Sequence, residues 1–110
     1  MSEQLSKFET KRRFIQNELE TLLGSSNVYF QPPENIKLKY PAIVYSTGSP
    51  SITYANNKVY SYLTNFVITY IRKTSGDDLP ETIVRHFQNC TEDRTFVSDN
   101  LYHTVFKLFI

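Results

Sequence analysis

His86 and Cys90 stand four residues apart near the end of a helical stretch, a spacing that could set a base beside a thiol nucleophile. Such chemistry needs more than two side chains. Arg85 and Glu92 are ordinary neighbours, and neither an oxyanion loop nor a strand-to-helix elbow accompanies the cysteine. A solvated imidazole and a small buried thiol account for the pair. Asp99 and His103 flank a tight turn where a metal or acid–base role can be drawn, but Asp99 is a natural turn former and His103 an ordinary strand position. Of Asp77 and Asp78, a helix cap accounts for one and solvent for the other. With two histidines and one cysteine, the chain lacks the donors for a dedicated metal site, a zinc centre rich in cysteine or an internal disulfide framework. Three glycines form neither a P-loop nor a dinucleotide pattern. The expectation is a protein that is not an enzyme and that binds no cofactor or metal.

The totals bound the remaining classes. A chain of 110 residues supports one domain with a single core. Twelve basic and eleven acidic residues give a formal net charge of +1, so no bulk field draws the chain to nucleic acid or anionic lipid. No apolar leader follows Met1, and no run approaches the roughly 20 apolar residues of a membrane helix. A soluble protein that is not exported is expected, one in which the glycosylation-like triplet Asn89-Cys90-Thr91 goes unused. Eight Tyr and eight Phe without Trp suit wet interfaces or sheet faces that meet another subunit.

The elements that must position these residues follow from periodicity. Residues 2–24 turn helical, with Leu5, Phe8, Ile15, Leu19 and Leu22 on one stripe and Gly24 as a left-handed C-cap. Arg12 interrupts that stripe, where its stem can snorkel, and Phe14 lies off it. Lys7, Lys11, Arg12 and Arg13 alternate with Glu3, Glu9, Glu18 and Glu20, as i,i+4 pairing on a wet face would have it. Residues 27–30 form a short extended piece ended by Pro32-Pro33. After Ile36, Leu38 and Tyr40, the run 42–45 is a strand, and residues 48–57, GSPSITYANN, form a long hairpin arm. Residues 58–73, KVYSYLTNFVITYIRK, read as one long central strand. Asp78 with Glu81 three residues on, and Pro80 between them, predicts a capping box for a helix through Asn89, with Leu79, Ile83 and Phe87 on its apolar line. A last hairpin runs through 94–98, turns at Asp99-Asn100 and returns along 101–110.

This order predicts an α+β domain: an antiparallel sheet of four or more strands with two helices packed on one face. The helices would cover the side of the central strand that carries Tyr60, Tyr62, Phe66, Ile68 and Tyr70. Its other side, Val59, Leu63, Val67 and Ile71, would lack a cover, and an exposed apolar stripe marks contact with another chain. Phe109 beside it, and Phe14 on the outer side of the first helix, complete the expected subunit interface. Lys37, Lys39 and Lys58 are the better candidates for touching a polyanion if the arm lines a channel.

The segments NVYFQPPENIKLKYPAIVY, YANNKVY and VSDNLYHTVFKLFI, in that order, resemble a family of small proteins of tailed bacteriophages, the tail terminator or tail completion proteins, sometimes labelled minor capsid proteins. The likeness covers about residues 12–110 and departs from the family at TSGDDL, residues 74–79. It implies one tail-terminator-like domain over residues 1–110 that assembles as a homo-oligomeric ring, typically sixfold. The ring would end growth of the tail tube at its head-proximal end and join it to a neck or head-completion protein. DNA would pass through the bore without sequence-specific binding. The protein would belong to the virion, with assembly in the host cytoplasm and no membrane partner. Ser51, Ile52, Tyr54, Asn56, Asn57 and Lys58 of the arm would then reach a neighbour, the lumen or the tube. A head-closure or adaptor protein of the same neck, or a small enzyme built on Cys90, are the rival readings.

Overall fold

The computed structural model describes residues 5–110. The first helix, α1 (Lys7–Leu23), starts where the Ser6 hydroxyl accepts the Glu9 N–H at 3.0 Å, satisfying one of the free donors of the first turn. The expected start at residue 2 falls outside the described residues, and Leu5 lies ahead of the helix and is exposed. Gly24 closes the helix in the left-handed region, φ 77°, and donates to the Glu20 carbonyl. Ile15 and Leu19 are buried, while Phe8 and Leu22 pack against the core from its edge.

The strands follow as β1 (Val28–Phe30), β2 (Ala42–Thr47), β3 (Ser51–Ala55), β4 (Lys58–Leu63), β5 (Asn65–Arg72), β6 (Cys90–Ser98) and β7 (Leu101–Phe109), with α2 (Leu79–His86) between β5 and β6. Five of them form one sheet in the order β1-β2-β5-β7-β6. The class is α+β as expected, but the sheet is mixed, because β1 lies parallel to β2 while every other pair is antiparallel. The expected central strand is two strands. β5 sits at the centre of the sheet, and β4 leaves it to pair with β3 in a separate two-stranded hairpin. The break falls at Thr64, which exchanges both backbone hydrogen bonds with Ile110, at 2.7 and 2.9 Å.

The registers place Ile43 and Tyr45, then Phe66, Ile68 and Tyr70, then Phe106 and Leu108 on one face. These side chains form a single core with Ile15 and Leu19 of α1, Ile83 of α2 and Phe87 just beyond it. Burying each large side chain contributes roughly 1.5–3 kcal/mol, which makes this face the main source of stability. Tyr60 and Tyr62, expected on the covered side, instead stand exposed on β4.

α2 is shorter than expected. It ends at His86, with Phe87 extended, and Asp78 takes the N-cap position without a side-chain cap hydrogen bond, so the capping box does not form. Both tight turns use the left-handed residues that a two-residue hairpin demands: Asn56 and Asn57 at φ 53° and 63°, Asp99 and Asn100 at 53° and 61°.

Candidate functional site

The hairpin β3–β4 is the part of the chain that the core does not explain. It continues β2 and β5 outward from the sheet, with Gly48 and Thr64 at its root. Every residue of β3 is exposed, and on β4 only Ser61 and Leu63 are half-covered. Tyr54 is 64% exposed and Tyr60 77%, with Ile52, Val59 and Tyr62 also open. The arm residues expected from the sequence, Ser51, Ile52, Tyr54, Asn56, Asn57 and Lys58, all lie on this exposed element.

The root is tightly built. The Gly48 N–H donates to the Asn65 carbonyl at 2.9 Å, and a Cβ at Gly48 would stand 2.7 Å from Asn65 Nδ2 and 3.1 Å from Val67 Cγ2. Only glycine lets the two strands approach this closely. Asn65 is itself buried, and among the described residues its Oδ1 has no hydrogen-bond partner. From the other side Lys11 donates to the Ile110 main-chain oxygen at 2.9 Å and to Thr64 Oγ1 at 3.4 Å. Helix α1, the end of β7 and the root of the arm are thus joined through one ammonium group.

Two of the hollows beside this root reach the helices. One, of about 760 Å³, lies between α1 and the arm and is lined by Lys7, Phe8, Lys11, Thr47, Gly48, Pro50, Val59, Tyr60, Tyr62 and Thr64. The other, of about 430 Å³, is apolar and is lined by Phe14, Leu63, Phe87, Leu108, Phe109 and Ile110 together with His86, Gln88 and Asn89.

The interface set expected from the sequence is divided among three places. Phe14, Leu63 and Phe109 meet at the second hollow. Val59 lies on the arm at the first. Val67 and Ile71 remain on the face of the sheet opposite the core, and there the expectation of an uncovered stripe is corrected: Ile71, between Ala42 and His103 in the register, is buried, and Val67 is half-buried. On that face Ala42, Ile71 and Val105 are buried, while Val44, Val67 and Thr69 are half-buried.

The residues considered for chemistry are held in structural roles. Cys90 opens β6 and belongs to the core, where burial pushes its thiol up to about 11. Because α2 ends at His86, the four-residue spacing to Cys90 is not a helical one; the His86 ring lies 3.6 Å from a Glu18 oxygen and edge-on to Phe87. His103 stacks on Phe96, centroids 4.7 Å apart. Asp77 is exposed, as expected, but it is also held by two donors. It accepts from the Tyr70 hydroxyl at 2.7 Å and from Arg72 Nε at 3.2 Å, while Arg72, 8% exposed, also donates to Thr104 Oγ1 at 2.7 Å. Nothing in the spacing of these residues announced that network; a basic residue at the end of an apolar strand was its only sign. Arg12 forms a fork with Glu9 and lies over the Phe30 ring, 5.4 Å from its centroid. Among the described residues no group of three or more His, Cys, Asp or Glu could hold a metal ion, and no helix is long and apolar enough to cross a membrane. Compared with models of protein families, with characterised proteins and with solved structures, the chain matches none.

Proposed function

We propose that this chain is a structural virion protein of a tailed bacteriophage, forming a homo-oligomeric ring at the head-proximal end of the tail tube. There it ends tube growth and joins the tail to a neck or head-completion protein. The observation that carries the reading is the β3–β4 arm, whose Ile52, Tyr54, Val59, Tyr60 and Tyr62 stay exposed among the described residues. Apolar surface of this kind, held out from a domain that already has its own core, serves contact with other chains. The ordered likeness of residues 12–110 to tail terminator proteins supplies the class of assembly. The near-neutral charge suits a bore through which DNA passes and is released, since a strongly basic bore would retain it. Catalysis is not part of the proposal: a buried thiol held far above neutrality is a poor nucleophile.

Negative-stain electron microscopy of the purified protein, alone and mixed with phage tail tubes, tests the proposal. Rings seated on one end of each tube are expected. Bare tube ends beside a protein that binds portal-side rings would move it to another station of the neck, and no binding to either would overturn the reading.

A further inference from the structure

We infer that the groove between α1 and the arm seats the acidic end of a second copy of this chain, at Asp78, Pro80 and Glu81. The inference rests on the ring reading for its partner and adds the contact itself. Among the described residues no Asp or Glu lines the groove, which offers Lys7, Lys11, Tyr60 and Tyr62. More broadly, no Asp or Glu occurs in residues 35–76, the span that builds the arm, whereas Asp77, Asp78, Glu81, Glu92 and Asp93 follow close behind.

Asp77 is occupied by Tyr70 and Arg72, and Glu81 pairs with Arg85 on the helix surface at 3.1 Å. Among the described residues Asp78 and Glu92 have no ion-pair partner, and neither has Lys7. Among the described residues, the groove therefore presents an unpaired cation and two flat aromatic rings, and the acidic end presents an unpaired carboxylate beside a proline that such rings can cover.

One chain cannot satisfy both ends. The groove adjoins Thr64 and Thr47, at the Asn65 end of β5, while Asp77 is fixed to Tyr70 and Arg72 at the opposite end. Eight strand residues separate them by about 26 Å. Complementary surfaces at opposite ends of one molecule join head to tail, the contact from which rings close.

The test uses two proteins, Tyr60→Cys and Asp78→Cys, each retaining the buried Cys90. Both positions are exposed, and circular dichroism checks that each variant is folded. Mixed under mild oxidation, the pair is expected to give a disulfide-linked dimer several-fold above either protein alone or the wild type. The yield falls in about 1 M salt, where exposed charges are screened, and falls several-fold when Lys7→Glu, but not Lys7→Arg, is added to the Tyr60→Cys protein. Equal yields from the mixture and the single proteins would overturn the contact, as would adducts of Tyr60→Cys with the tail-tube subunit alone. Rings that cap tubes without this cross-link would remove the contact and leave the ring; the cross-link in a protein that never caps tubes would do the reverse.

Discussion

Tyr70 and Arg72, two residues apart on β5, both donate to the carboxylate of Asp77, one to each oxygen. Arg72 is buried, so Asp77 is its counter-charge as well as its acceptor, and the loop after β5 is drawn back onto the sheet. Asp77→Asn keeps the shape and removes the charge. It is expected to lower the free energy of urea unfolding by about 1–3 kcal/mol, because a buried cation loses its partner. Asp78→Asn, at an exposed position with no cap hydrogen bond, is expected to stay within about 0.5 kcal/mol.

Gly48→Ala tests the root of the arm. The added methyl would lie 2.7 Å from Asn65 Nδ2, and Asn65 is too buried to swing freely. The expected cost is about 1–3 kcal/mol in urea unfolding. Ser49→Ala, one residue on and exposed, is expected to be neutral within about 0.5 kcal/mol.

Lys11→Met removes the ammonium that ties α1 to Ile110 and Thr64 while keeping the aliphatic stem. A loss near 1 kcal/mol is expected. Amide hydrogen exchange at Thr64 and Ile110, which bond to each other, should quicken by roughly fivefold, with the Phe106 amide in the core little changed.

Alkaline pH should destabilise the fold in a defined window. Burial raises the Cys90 thiol from 9.0 to about 11, so the folded state holds this proton more tightly than the unfolded chain does. The contribution is fully present below about pH 9 and is lost as pH rises from 9 to 11. Tyr45 and Tyr70, raised above 10.0 chiefly by burial, act in the same direction at higher pH. Urea midpoints measured from pH 7 to 11 should be flat and then fall, and Cys90→Ala should remove the earliest part of the fall. A thiol reagent at pH 8 should label wild-type Cys90 only at the rate of unfolding.

Much of this architecture is written in local chemistry. The stripe around Ile15 and Leu19, the glycine after Leu23, the paired turn formers Asn56-Asn57 and Asp99-Asn100 and the alternation along 101–109 each specify an element through their immediate neighbours. Non-local features are the ones that differ from the sequence reading. Along residues 60–70 Thr64 is the one polar position on the aromatic side, too slight a local mark to end a strand; the division arises because Ile110, far along the chain, takes up its backbone hydrogen bonds. Strand direction is likewise set by the partner, which is why β1 lies parallel to β2 although its three residues carry no sign of it. The interface set was legible as residue types but not as a place. Phe14, Leu63 and Phe109 meet at one hollow, while Ile71 is closed in by Ala42 and His103 across the sheet.

The arm grows from β2 and β5, and β5 is the middle strand of the five. A pull on its tip draws both strands the same way, so the ladder between them is not peeled open. The load passes as shear into eight residue pairs with β7 on one side and into β1 on the other. Backbone hydrogen bonds loaded in shear must break together rather than one by one, so a tether built this way holds under tension that would unzip a hairpin hung from the rim of a sheet.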